Sequence, residues 1–174
     1  RMGGTIEVES EEGKGTRFIM KFSFPVSLEN QVREKEKQNI PDITEKLEGK
    51  RILLAEDNEL NAEIAETVLV EAGIEVKRVE DGLQCIEELK KMPENYYDVI
   101  LMDVQMPNMD GYTATQRIRD LDDSRAEIPI IAMTANAYDE DRRKAQEAGM
   151  DGFLAKPLDV DEMMRLLGKI TKTE

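Results

Sequence analysis

The chain has 174 residues, 40% of them hydrophobic and 36% charged, with a formal net charge of −14 and a sequence pI near 4.6. That acidity excludes nucleic acid and anionic membranes as partners of the chain itself, and favours cations or basic surfaces. Histidine is absent and Cys85 is the single cysteine, which excludes a Ser-His-Asp triad, a His-bearing zinc site, an internal disulfide and autophosphorylation on histidine.

Residues 1–25 read as a β-hairpin. Thr5–Ser10 alternates with Ile6 and Val8 on one side, and Arg17–Phe24 places Phe18, Met20, Phe22 and Phe24 on one face. The EEGKG stretch between them is turn chemistry. Such an apolar face should be buried, because a lone hairpin is marginal in water. Met2-Gly3-Gly4-Thr5-Ile6 and the Gly13-x-Gly15-Thr16-x-Phe18 turn resemble the last two strands of a histidine-kinase ATP-binding domain. The resemblance covers only those strands. It implies descent from a sensor kinase and no ATP binding here, since the nucleotide motifs would lie upstream.

Residues 26–50 are charged and polar, with Pro41 in the middle, and read as a linker. Glu29–Gln38 could form a solvated helix. No apolar run is long enough to span a bilayer and no signal-peptide pattern occurs. The expectation is a cytoplasmic fragment of a longer protein, beginning at Arg1, whose parent could be membrane-anchored. Cys85, among apolar residues of a helical pattern, fits a small core residue and a reducing compartment.

From residue 51 to 171 strand and helix patterns alternate. Ile52–Ala55 is a strand ending on Glu56-Asp57. A helix follows with Asn61, Ile64, Ala65, Val68, Leu69 and Ala72 inward, closed by Gly73. Ile74–Val79 is a more polar strand near an edge. Gly82–Met92 is a helix with Leu83, Ile86 and Leu89 inward. Val99–Met102 is a continuous apolar run that ends on Asp103. Pro107 and Asn108 form a turn, and Tyr112–Leu121 is a helix. Ile128–Met133 is a buried strand ending on Thr134, followed by a polar helix, Tyr138–Ala148. Phe153–Ala155 is a short strand ending on Lys156-Pro157. Asp159 and Glu162 make a capping box for a last helix whose inward residues are Val160, Met163, Leu166, Leu167 and Ile170. Five strands alternating with helices predict an α/β fold, a parallel sheet wound with helices on both faces.

In such a sheet the carboxyl ends of the strands share one rim, where ligands bind. Glu56, Asp57, Asp103, Thr134 and Lys156 all end strands. Three carboxylates cannot be neutralised by one lysine. A hard divalent cation, Mg²⁺ or Mn²⁺, would do it, leaving Lys156 and the Thr134 hydroxyl for phosphate oxygens. Asp103 is then the acceptor of a phosphoryl group.

These residues, in the settings LMDVQMPNMDG, AMTA and KPL, closely resemble the receiver domains of two-component response regulators over about residues 50–171. The resemblance implies a flavodoxin-like, doubly wound sheet of order 2-1-3-4-5. It implies phosphorylation of Asp103 by a phosphohistidine, with Mg²⁺ held directly by Asp57, Asp103 and the carbonyl of Gln105, and by Glu56 through water. It implies that Lys156 pairs with phosphoryl oxygens, that Thr134 moves to the new phosphate, that Phe153 turns inward as a switch, and that the Lys156-Pro157 peptide is cis. Gln105 and Asn136 would tune the lifetime of the phosphoryl group.

With the kinase-like hairpin in front, the chain reads as the receiver of a hybrid histidine kinase in a phosphorelay. It would pass phosphate to a histidine phosphotransfer protein docked on Asn58, Leu60 and Asn61. It lacks the kinase active site and supports only transfer to and from its own Asp103. With no DNA-binding segment read up to Glu174, the expectation is that this fragment does not itself act as a transcription factor. Two alternatives stand beside this reading. A Mg²⁺-dependent phosphohydrolase would want an acid where Gln105 stands, and a docking module that never takes phosphate would not need the full acid set.

Overall fold

The computed structural model describes residues 4–11, 13, 15–22, 47–135 and 139–171. The chain divides into two compact units, residues 1–36 and 37–174.

In the first unit, β1 (Gly4–Glu11) pairs antiparallel with β2 (Gly15–Phe22), as the alternation predicts. Ile6 lies opposite Met20 in register and Val8 opposite Phe18, so Ile6, Val8 and Phe18 share a face. That face was expected to be buried, yet Ile6, Val8 and Phe18 are 66%, 55% and 65% exposed. Exposed ion pairs cross the hairpin, Lys21 with Glu7 at 2.9 Å and Arg17 with Glu9 at 3.8 Å, and such pairs contribute little stability. Phe24 and the expected helix over Glu29–Gln38 lie outside the described residues.

The second unit alternates β3 (Arg51–Ala55), α1 (Glu59–Glu71), β4 (Glu75–Val79), α2 (Gly82–Lys91), β5 (Val99–Asp103), α3 (Gly111–Arg119), a 3-10 turn at Ser124–Glu127, β6 (Ile130–Thr134), α4 (Asp139–Ala148), β7 (Gly152–Ala155) and α5 (Val160–Ile170). The five strands form one parallel sheet of order β4-β3-β5-β6-β7, the expected 2-1-3-4-5. β5 and β6 are buried throughout, as continuous apolar runs in a sheet covered on both faces should be. β4, at the edge, is the more polar strand.

Alternate residues of each strand feed two cores. Leu53, Ile100, Met102, Ile130 and Ala132 pack with Cys85, Ile86, Leu89, Ala114, Ile118 and Ala145 of α2, α3 and α4. Ile52, Leu54, Leu101, Ile131 and Met133 pack with Ala62, Ala65, Leu69, Met163, Met164 and Leu167 of α1 and α5. Each fully buried aliphatic side chain contributes roughly 1.5–3 kcal/mol. Among the described residues, no helix is long and apolar enough to cross a membrane.

Three helix faces differ from expectation. Ile64, Leu83 and Val160, expected inward, are exposed. Ala62 takes the buried place on α1, Cys85 on α2, and Met163 with Met164 on α5. On α1 and α2 the small side chains of Ala62 and Cys85 let the helix lie close on the sheet, and the larger Ile64 and Leu83 then point outward. The packed unit also reaches back beyond residue 51. Leu47, assigned to the linker, is fully buried in the second core. The Gly49 amide donates to the Gly73 carbonyl at 2.9 Å, and Lys50 pairs with Asp98 at 2.9 Å.

Candidate functional site

Each functional side chain is placed by the end of a strand. β3 stops at Ala55, and the Glu56 amide donates to the Val79 carbonyl at 3.1 Å, which holds the next two residues on the rim. Asp103 is the last residue of β5, opposite Met133 on β6. Thr134 ends β6 opposite Ala155, and its carbonyl accepts from the Lys156 amide at 2.7 Å. Lys156 thus enters the rim beside Thr134, and its peptide to Pro157 is cis. Gly111 opens α3 directly behind Asp103, where a Cβ would collide with the Asp103 carbonyl oxygen. Only glycine allows that approach.

The side chains converge. Glu56, Asp57 and Asp103 each offer a carboxylate oxygen within 4.8 Å of the others. The Lys156 ammonium lies between two of them, 2.7 Å from Asp103 Oδ2 and 2.5 Å from Glu56 Oε2. Glu56 and Asp103 are buried, whereas Asp57 faces solvent. Burial pushes the Asp103 carboxyl above its ordinary pKa, and the nearby Glu56 charge adds to that; donation from Lys156 and from the Gln105 amide at 3.1 Å pulls the other way without cancelling it. Three carboxylates against one ammonium leave negative charge in excess. An all-oxygen set of this size suits a hard divalent cation that keeps some of its waters, so the residues fit Mg²⁺.

The other expected residues fall around this centre. Gln105 follows Asp103 by two residues on the loop into α3. Asn58 caps α1 by accepting from the Asn61 amide at 3.0 Å, and the Asn61 side chain donates to Glu56 Oε1 at 3.1 Å. Leu60 beside them is 64% exposed, and Ile64 one turn on is 49% exposed. Phe153, on β7 opposite Ala132, is half-buried with the Arg142 guanidinium carbon 5.1 Å from its ring centroid. Asn136 lies outside the described residues.

Sequence reasoning missed two residues at the rim. Arg78 Nε donates to the Glu56 carbonyl at 3.3 Å, bracing the acidic pair from β4. Asp81 reaches the loop after Asp103. The Asp81-Gly82 pair ahead of a helical pattern is an N-cap signal and was open to view.

The family model described as the response regulator receiver domain matches residues 52–168. The peroxide stress-activated histidine kinase of Schizosaccharomyces pombe is 40% identical over 124 residues, 70% of this chain and 8% of that protein. The sensor protein EvgS of Escherichia coli is 35% identical over 171 residues, 97% of this chain and 13% of that protein. The chain therefore spans a small part of these curated relatives. The crystal structure of the receiver domain of a Pseudomonas aeruginosa sensor histidine kinase is 40% identical, with a TM-score of 0.66 over 72% of this chain and 99% of that one. It is described with a magnesium ion coordinated in its active-site cleft.

Proposed function

The chain belongs to the response regulator receiver family, and from that premise we propose that Asp103 takes a phosphoryl group from a phosphohistidine of a sensor kinase and hands it to a histidine phosphotransfer protein. The observation that carries the reading is the rim itself: Glu56, Asp57 and Asp103 drawn together with Lys156 set between the two buried acids.

The transfer asks little covalent help from other groups. An Asp103 carboxylate oxygen forms the new bond to phosphorus. The nitrogen–phosphorus bond of the donor breaks, and the imidazole leaves with its electron pair. Asp103 must be ionised to attack, so its burial has to be offset by positive charge at the rim. Asp57, Asp103 and the Gln105 carbonyl would hold Mg²⁺ directly and Glu56 would hold it through water; Mn²⁺ suits the same oxygens. When bound, the cation supplies the charge that favours the ionised acid and the phosphorylated product. The phosphoryl group brings close to two negative charges where the carboxylate carried one, so the rim gains about one. The Lys156 ammonium, freed from Glu56 and Asp103, turns to the phosphoryl oxygens, and the Thr134 hydroxyl is drawn to the same group. Phe153, now half-buried beneath Arg142, follows Thr134 inward, and the face built by α4, β7 and α5 changes with it.

Leu60 supplies exposed apolar area beside the rim, and Asn58 and Asn61 frame it, so phosphohistidine donors and acceptors dock there. The hairpin is the end of a kinase ATP-binding domain, residues 26–50 link it to the receiver, and the whole lies on the cytoplasmic side. The reach of the EvgS similarity through nearly all of this chain supports that order.

Intact mass after incubation with acetyl phosphate and Mg²⁺ tests the reading. One phosphoryl adduct is expected in the wild type and none in Asp103→Asn. A wild type without an adduct, or an adduct that survives the substitution, would overturn it.

A further inference from the structure

Asp81 is a buried acid, 4% exposed, that the transfer chemistry above does not use. It precedes α2, and its Oδ1 accepts from the Gln84 amide at 2.7 Å, an ordinary N-cap. Its Oδ2 does something a cap does not require. It accepts from the side-chain amide of Asn108 at 2.8 Å, across 27 positions of sequence. Asn108 stands in the loop from Asp103 to α3 with φ +59, a conformation that asparagine tolerates better than most residues. The adjacent Gly82 amide donates to the Met109 carbonyl at 3.1 Å, so the start of α2 grips that loop at two successive residues. Burial would raise the Asp81 carboxyl, but donation from Gln84, Asn108 and Leu83 outweighs it and keeps the acid ionised. A charged acceptor makes the stronger hydrogen bond.

We propose that Asp81 is a positioning residue for the cation site, tethering the 104–110 loop through Asn108 so that the Gln105 carbonyl is held at the rim. The proposal rests on the receiver reading above, in which Gln105 is a ligand. Groups that orient a ligand typically matter about 10–100-fold in metal affinity.

Asp81→Asn separates the tether from the cap. Asparagine still offers an oxygen to the Gln84 amide, but it takes away the charged acceptor that the Asn108 amide now donates to. Asp81→Asn with Asn108→Asp restores the bond with donor and acceptor exchanged, at the same net charge. Mg²⁺ affinity is measured by calorimetry at a temperature where every variant is folded. Amide hydrogen exchange over residues 104–109 is measured without metal. The expected result is about a tenfold weaker Mg²⁺ affinity in Asp81→Asn with faster exchange in the loop, and recovery of most of both in the double variant. A folded Asp81→Asn with wild-type affinity and exchange would overturn the tether. So would a loss that the double variant leaves unrecovered, which would mark Asp81 as a cap alone. A wild type that takes up no Mg²⁺ would overturn the receiver reading, and the tether's purpose with it.

Discussion

At the scale of single residues, the rim is held in balance by Lys156. Its ammonium bridges two buried carboxylates, and removing it leaves both without a counter-charge. Breaking such a pair typically costs about 3–5 kcal/mol. Lys156→Ala should therefore lower the metal-free unfolding free energy by about 3 kcal/mol, and Mg²⁺ should recover part of the loss; denaturant midpoints with and without the cation check this. Cys85 behaves differently. Full burial and the Asp81 charge push its thiol up to about 12, so it should resist alkylation at pH 8 until the chain unfolds. The same shift has a sign in stability. The thiol of the unfolded chain ionises near its ordinary value of 9.0, while the folded chain keeps its proton to about 12. The contribution is whole below the lower value and disappears as pH climbs between the two, by at most about 1.4 kcal/mol per pH unit. Burial and the Glu88 charge raise Tyr97 as well, in the same sense. Unfolding free energy should fall less steeply above pH 9 in Cys85→Ala than in the wild type.

At the scale of elements, strands were the most legible part. A continuous apolar run that stops on an acid or a threonine encodes both the buried strand and its chemical tip, and β3, β5 and β6 are built that way. The inward faces of the helices were less legible. Reading favoured large apolar residues, and the packing chose Ala62 and Cys85 over Ile64 and Leu83 because closeness to the sheet rewards small volume. The tie between Asp81 and Asn108 could not be read at all, since no local spacing records a contact made by the return of the chain. The misread face of α1 has a use. Leu60 and Ile64 expose apolar area next to the acids, where a docking partner would cover it. Leu60→Asp should slow transfer from a phosphohistidine protein at least tenfold, a change of about 1.4 kcal/mol in the transition state. It should leave labelling by acetyl phosphate unchanged; comparing the two rates checks it. Equal slowing of both would move the docking surface elsewhere.

At the scale of the molecule, the receiver unit is wider than its motifs. Sequence patterning opened it at residue 51, because Glu48, Gly49 and Lys50 look like linker. Leu47 nonetheless fills the second core, and the Gly49 and Lys50 contacts close the sheet's lower edge. A lone leucine in a polar stretch gives no period to read, so only the packing reveals it. A chain starting at residue 51 should be less stable than one starting at residue 37 by about 2–3 kcal/mol, the worth of one buried leucine, with a lower thermal midpoint as the check.

The excess of acids over ammonium at the rim has a consequence beyond signalling. A cation that binds the folded chain alone adds to its stability in proportion to the logarithm of its free concentration. On the proposed reading, in which the rim holds Mg²⁺ and Asp103 takes part in a relay, starving a cell of magnesium should do two things at once: silence the relay, and leave the idle protein easier prey for proteases. Abundance and responsiveness would rise and fall together, governed by one ion.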